Sequence, residues 1–134
     1  MHLTIDGFGG NQEKLASQEL VRNLLDRLPE SIGMTKITIP HVRKYAGDKP
    51  EDWGVSGFVM IAESHLSIHT FPERGIVWAD LFSCKGFDTD GAVAYLSDAF
   101  DLKGARARRI PRGLEYPIDS EVAVEETGHE LVPA

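Results

Sequence analysis

Between residues 35 and 84 the chain offers one strand pattern after another and no helical stripe, and this constrains the fold more than any other feature. Thr35-Lys36-Ile37-Thr38-Ile39 alternates strictly, and Val55 to Ile61 is a mostly apolar strand. Ser64-His65-Leu66-Ser67-Ile68-His69-Thr70 alternates again. As a strand it sets His65, Ser67 and His69 on one face, with Leu66 and Ile68 on the other. After the turn Pro72-Glu73-Arg74-Gly75, the run Ile76 to Cys84 puts Trp78, Asp80, Phe82 and Cys84 on one face. Strands are also predicted at His2 to Phe8 and at Gly104 to Ile110, and residues 43 to 54 read as a polar loop. Helical spacing occurs twice. Leu15, Leu20, Val21, Leu24, Leu25 and Leu28 form one stripe, stopped by Pro29. Val93, Leu96 and Phe100 form a second, opened by Asp88-Thr89-Asp90. Two helices are too few to cross every strand pair in parallel. The expected fold is α+β: a two-layer sandwich, a mostly antiparallel sheet with two helices on one face. The other sheet face is then left for a partner subunit or a site.

A chain of 134 residues, 42% hydrophobic, fits one domain, 1–134, with a core that needs no staples. No run approaches the roughly 18 apolar residues of a membrane span. The N-terminus lacks the basic and long apolar regions of a secretory signal. Cys84, the only cysteine, excludes an intrachain disulfide and suits a reducing cytoplasm. The net charge of −7 disfavours nucleic-acid binding, which rests on phosphate neutralisation, and leaves room for a cationic small molecule. Six acids and no Lys or Arg occupy the tail, about 115–134, after a basic group of Lys103, Arg106, Arg108, Arg109 and Arg112. That tail reads as a solvated segment partly neutralising a basic strand.

Chemistry-bearing residues concentrate in Glu63-Ser64-His65-Leu66-Ser67-Ile68-His69-Thr70-Phe71-Pro72-Glu73, with Cys84 ending the next strand. A hydroxyl, an imidazole and a thiol would meet on one patch if the two strands pair. Ser64 and His69 are five apart, so on an unbroken strand they face opposite ways. The histidine, cysteine and carboxylate spacings match no metal site, and none is expected.

This eleven-residue stretch closely resembles the signature of the bacterial and archaeal S-adenosylmethionine decarboxylase family. The resemblance includes Gly54-Val55-Ser56-Gly57, Asp80-Leu81-Phe82-Ser83-Cys84 and His2-Leu3-Thr4-Ile5-Asp6-Gly7-Phe8-Gly9, and covers roughly residues 2 to 112. It implies a self-processing enzyme of polyamine, and hence spermidine, biosynthesis. Ser64 would attack the carbonyl of Glu63 to give an ester. Elimination would then cut the chain at 63/64 into a β chain, 1–63, and an α chain, 64–134. The dehydroalanine left at Ser64 would hydrolyse to a pyruvoyl group, the only cofactor, which binds substrate as a Schiff base and accepts electrons. The resemblance further assigns His69 the proton transfer of processing, Ser56 the holding of the ester, and Cys84 the return of a proton to substrate. It implies a turn or break at the cut, and a homodimer of processed protomers with sites near the interface.

The family places an aromatic shelf for adenine a few residues before Gly54, where this chain has Lys49, Pro50 and Glu51. Trp53, Tyr45 and Phe8 are the aromatics that would replace it. Glu73 reads as an acceptor for a ribose or a substrate cation, or as a turn acid paired with Arg74. Glu51 and Asp52 would suit a guanidinium or ammonium. By the resemblance the expected substrate is S-adenosylmethionine; the altered loop makes arginine or ornithine the alternative, and a non-catalytic regulatory homologue is the third reading.

Overall fold

The structure, a computed structural model, describes residues 1–115 and the strand at 129–133. Its strands are β1 (His2–Phe8), β2 (His41–Tyr45), β3 (Gly54–Ile61), β4 (Ser64–Phe71), β5 (Ile76–Ser83), β6 (Gly104–Ile110) and β7 (His129–Pro133). The helices among the described residues are α1 (Gln12–Leu15), α2 (Gln18–Ser31) and α3 (Thr89–Phe100). The strands form one sheet in the order β2-β3-β4-β5-β1-β6-β7, and every pairing is antiparallel. The α+β class is thus present, and no helix among the described residues is long and apolar enough to cross a membrane.

Period-two alternation gives the sheet two unlike faces. Leu3, Ile5, Val59, Ile61, Leu66, Ile68, Val77, Ala79, Leu81, Ala105 and Ala107 are buried with Val21, Leu24, Leu25 and Leu28 of α2 and Val93, Leu96 and Phe100 of α3 in a single core. Each such leucine or phenylalanine contributes about 1.5–3 kcal/mol by leaving water. The opposite face runs in three rows across the strands. Ser56, His69, Trp78, Asp6 and Arg106 stand in one register. Phe58, Ser67, Asp80, Thr4 and Arg108 form the second, and Met60, His65, Phe82, His2 and Ile110 the third. The predicted separation of His65, Ser67 and His69 from Leu66 and Ile68 holds.

Several expectations are corrected. Residues 35–39 make one isolated bridge, Lys36 to Ile61, rather than a strand. Ile37 and Ile39 are 61% and 77% exposed, and Pro40, which has no N–H to give a ladder, follows them. The edge of β3 is instead covered by β2, whose Arg43, Lys44 and Tyr45 read as part of a polar loop in the sequence. Charged side chains on an edge strand are a common defence against further pairing, and they mask the strand in sequence. The stripe from residue 12 is two helices, because the Ser17 hydroxyl accepts from the Leu20 N–H at 3.0 Å and starts α2 afresh. Pro29 lies inside α2 instead of stopping it, and the break at Ser17 makes three helices among the described residues and not two. Its missing N–H removes one intrahelical bond, to the Leu25 carbonyl. The Asp88 cap is as expected, its carboxylate accepting from Gly91 N–H at 2.9 Å. β5 ends at Ser83, one residue short of Cys84. The tail is not wholly solvated: residues 129–133 pair with β6. Its residues 116–128 lie outside the described residues.

Candidate active site

The candidate residues fall into two groups, at opposite ends of β4. At its start, β3 and β4 are joined by only Ala62 and Glu63, with Ile61 opposite Ser64. So tight a connection needs a positive φ, and Glu63 supplies it at 60°. A side chain there costs roughly 1–2 kcal/mol that glycine would not. The residue before Ser64 is therefore strained, and its peptide joins it to the serine. The Glu63 side chain reaches across to Cys84, whose thiol donates to Oε2 at 3.1 Å. That hydrogen bond, then burial, then the carboxylate charge push the thiol above its ordinary range. Ser64 lies opposite Ser83 and lines a recess of about 120 Å³ with Ser83, Lys85 and Gly86. Ser83 in turn accepts through its carbonyl from the Met1 amine at 2.8 Å. Burial of that amine lowers its pKa.

The second group is at the other end of the strand. Ser56 and His69 are directly opposite on β3 and β4, and Ser56 Oγ is 2.8 Å from His69 Nδ1. They line a cavity of about 450 Å³ with Tyr45, Gly54, Phe71 and Trp78. Just behind His69, Thr70 is buried; its hydroxyl donates to Leu15 C=O at 2.7 Å and accepts from Val55 N–H at 3.0 Å. That lock fixes the backbone carrying the imidazole.

Of the other expected substrate contacts, Tyr45 and Asp52 line this cavity, and several are engaged differently from what was expected. Glu73 accepts from Trp53 Nε1 at 3.3 Å and does not pair with Arg74. Arg74 donates to Asp52 through Nε at 2.9 Å and Nη2 at 2.8 Å, and lies 3.9 Å from Glu51. Its guanidinium is accordingly held above the usual arginine range, first by the Asp52 hydrogen bond. The acidic loop therefore meets a cation of its own chain. Lys44 stands 4.9 Å over the Trp53 ring, covering one face of it. Phe8 is partly exposed at the far end of β1, opposite Gly104.

The expected meeting of hydroxyl, imidazole and thiol does not occur within one chain. β4 is unbroken from Ser64 to Phe71, because the turn precedes Ser64. At about 3.3 Å per residue, Ser64 and His69 are separated by about 16 Å. The thiol joins the Ser64 end, and the imidazole joins Ser56. Sequence reasoning missed Arg74 as the partner of the acidic loop, and it used Glu63 only as the cleavage position. Neither contact leaves a local signal, since each spans about twenty residues.

With this geometry in view, similarity to known proteins is informative. The S-adenosylmethionine decarboxylase family profile matches residues 1–113. A protein named S-adenosylmethionine decarboxylase proenzyme from Clostridium botulinum (strain Loch Maree / Type A3) is 38% identical over 113 residues, covering 84% of this chain and 92% of its own. Proteins of the same name from Thermoplasma acidophilum and Pyrococcus furiosus are 36% and 30% identical over 114 and 115 residues. Those alignments span 84% and 85% of this chain, and 82% and 78% of the relatives. The chain belongs to the S-adenosylmethionine decarboxylase family.

Proposed function

We propose that this protein is a self-processing, pyruvoyl-dependent decarboxylase of S-adenosylmethionine that serves polyamine synthesis. The observation that carries this reading is the Glu63–Ser64 peptide, set in a strained two-residue turn with Cys84 on the Glu63 side chain. Attack of Ser64 Oγ on the Glu63 carbonyl carbon moves the acyl group from nitrogen to oxygen and frees the turn from its strained peptide. Removal of the Ser64 α-proton then expels the Glu63 carboxylate. Water then hydrolyses the resulting dehydroalanine, whose nitrogen leaves as ammonia, to give a pyruvoyl group at the start of residues 64–134. A pyruvoyl carbonyl supplies an electron sink for loss of carbon dioxide. Cys84 is read as the acid that returns a proton to the substrate carbon, and Glu73 and Trp53 as walls of the substrate site.

His69 and Ser56 lie too far from Ser64 to act on it in their own chain. This supports a homodimer in which His69 of the partner subunit serves the Ser64 of its neighbour. In this reading each protomer is a two-layer sandwich, and the open sheet faces meet. Trp78, Phe58 and Met60 leave that face 44–49% exposed at large apolar side chains. The arrangement is tested by co-expressing Ser64→Ala and His69→Ala chains. Alone, neither is expected to be cut efficiently. Together, the His69→Ala chain is expected to be cut, because its Ser64 meets an intact imidazole from the other chain. Absence of cutting in the mixed dimer would remove the cross-subunit role.

The names of the relatives support S-adenosylmethionine as substrate, and so does the loop. Asp52 and Glu51 are matched to Arg74 and are not left for an incoming guanidinium or ammonium. Carbon dioxide release is expected with S-adenosylmethionine and not with arginine or ornithine, each supplied separately. Glu51→Gln with Asp52→Asn is expected to change the KM for S-adenosylmethionine by less than about fivefold, as for exposed ion pairs worth under about 1 kcal/mol. Release from arginine, with a raised KM in that double variant, would reverse the assignment.

A further inference from the structure

We propose that the Glu63 side chain is a positioning residue that aims and guards the Cys84 thiol beside Ser64. This rests on the reading of Cys84 as the proton donor, but the contact is testable without it. In the uncut chain Glu63 is fixed by a two-residue turn, so its side chain starts from a defined point. An ionised carboxylate only accepts, so the hydrogen in the 3.1 Å contact belongs to sulfur. The same contact disfavours the thiolate, because a negative sulfur would face a negative carboxylate. Burial acts in the same direction, while Lys85 opposes it more weakly. The Met1 amine also faces the thiol and is itself flanked by Arg112. The balance leaves the thiol raised.

The chemical consequence concerns the neighbour. A thiol of ordinary pKa, about 8.5, is already about one quarter thiolate at pH 8. A thiolate is a strong nucleophile, and the ester expected between Ser64 and Glu63 during processing places an electrophilic carbonyl on the very residue that holds it. Kept as S–H by Glu63 in the uncut chain, Cys84 does not add to that carbonyl, and it enters the processed enzyme with the proton it must give. On donation, the S–H bond breaks and a C–H bond forms on the carbon that has lost carbon dioxide. Sulfur keeps the electron pair and regains a proton from water. The sign of the linkage follows. The stability due to the raised thiol is present below its unfolded pKa and is lost as pH rises through the folded one.

Because Cys84 is the only cysteine, thiolate absorbance near 240 nm, taken against a Cys84→Ser variant, reports this group alone. The test uses the full-length Ser64→Ala chain, which cannot form the pyruvoyl group. Its thiolate is expected only above the ordinary thiol range. Adding Glu63→Gln is expected to move the midpoint down and to speed alkylation by iodoacetamide severalfold at pH 8. Glu63→Asp, which restores the charge, is expected to bring the midpoint partly back. Equal midpoints with Glu and Gln would overturn the proposal. So would a midpoint at or below the ordinary value in the Ser64→Ala chain, whether or not the Gln variant folds. If these shifts are found but the unmodified protein releases no carbon dioxide, the positioning stands and the decarboxylase reading falls.

Discussion

Replacing Ser64 by alanine is expected to leave a single chain of 14.8 kDa, uncut and without carbon dioxide release from S-adenosylmethionine. Intact-mass spectrometry distinguishes this from the unmodified protein, which should yield fragments ending at Glu63 and beginning at residue 64. The effect is complete and not graded, because the hydroxyl oxygen has two tasks that nothing replaces. It must form the ester with the Glu63 carbonyl, and it must then leave with that acyl group when the α-proton is removed. Alanine has no atom for either step. The turn strain at Glu63 is retained in the variant, since its φ of 60° is set by the two-residue connection and not by Ser64. Strain alone therefore should not cut the chain. A fragment ending at Glu63 in the alanine variant would show that some other group breaks this bond.

Gly54→Ala is expected to destabilise the protein by at least about 3 kcal/mol, the upper end for overpacked cores. A Cβ built on Gly54 would stand 1.8 Å from the carbonyl oxygen of Thr70 and 2.9 Å from its carbon. Relief requires β3 and β4 to separate, and Thr70 resists. Its hydroxyl is tied to Leu15 on one side and Val55 on the other, in a buried position. Breaking those bonds leaves buried groups unpaired, at about 1–3 kcal/mol each. In a chain of this size the loss corresponds to a fall in Tm of about 10 °C or more. Since Gly54 and Ser56 share the cavity wall with His69, processing is expected to slow as well. Thermal unfolding followed by circular dichroism checks the first effect, and an unchanged Tm would mean that the two strands are not held as described.

Much of the fold was legible because alternation survives in strands with one buried face. β1, β3, β4, β5 and β6 each carry apolar residues at every second position facing the core. β2 was not legible. Four of its five residues are exposed, so burial imposes no pattern, and only its pairing with β3 makes it a strand. Thr35 to Ile39 is the converse case. It has an ideal strand pattern, yet its isoleucines face outward and only one bridge forms. The break between α1 and α2 was hidden because a continuous apolar stripe passes over the Ser17 cap.

The candidate site divides in the same way. By itself the sequence determined which chemical groups are present and their order. A serine follows a glutamate, a histidine stands five residues on, and the single cysteine is twenty residues beyond Ser64. These identities suffice for the family and for the kind of reaction, because bond-making depends on atom types that substitution cannot mimic. Tertiary structure alone decided which groups meet. Pairing of β3 with β4 put Ser56 on His69, and the turn that makes this pairing possible put Glu63 on Cys84. The same straight strand that carries both Ser64 and His69 keeps them about 16 Å apart. The physical reason is that side-chain encounters across a sheet are fixed by register, which sums hydrogen bonding and burial over whole strands, and no short motif contains that sum.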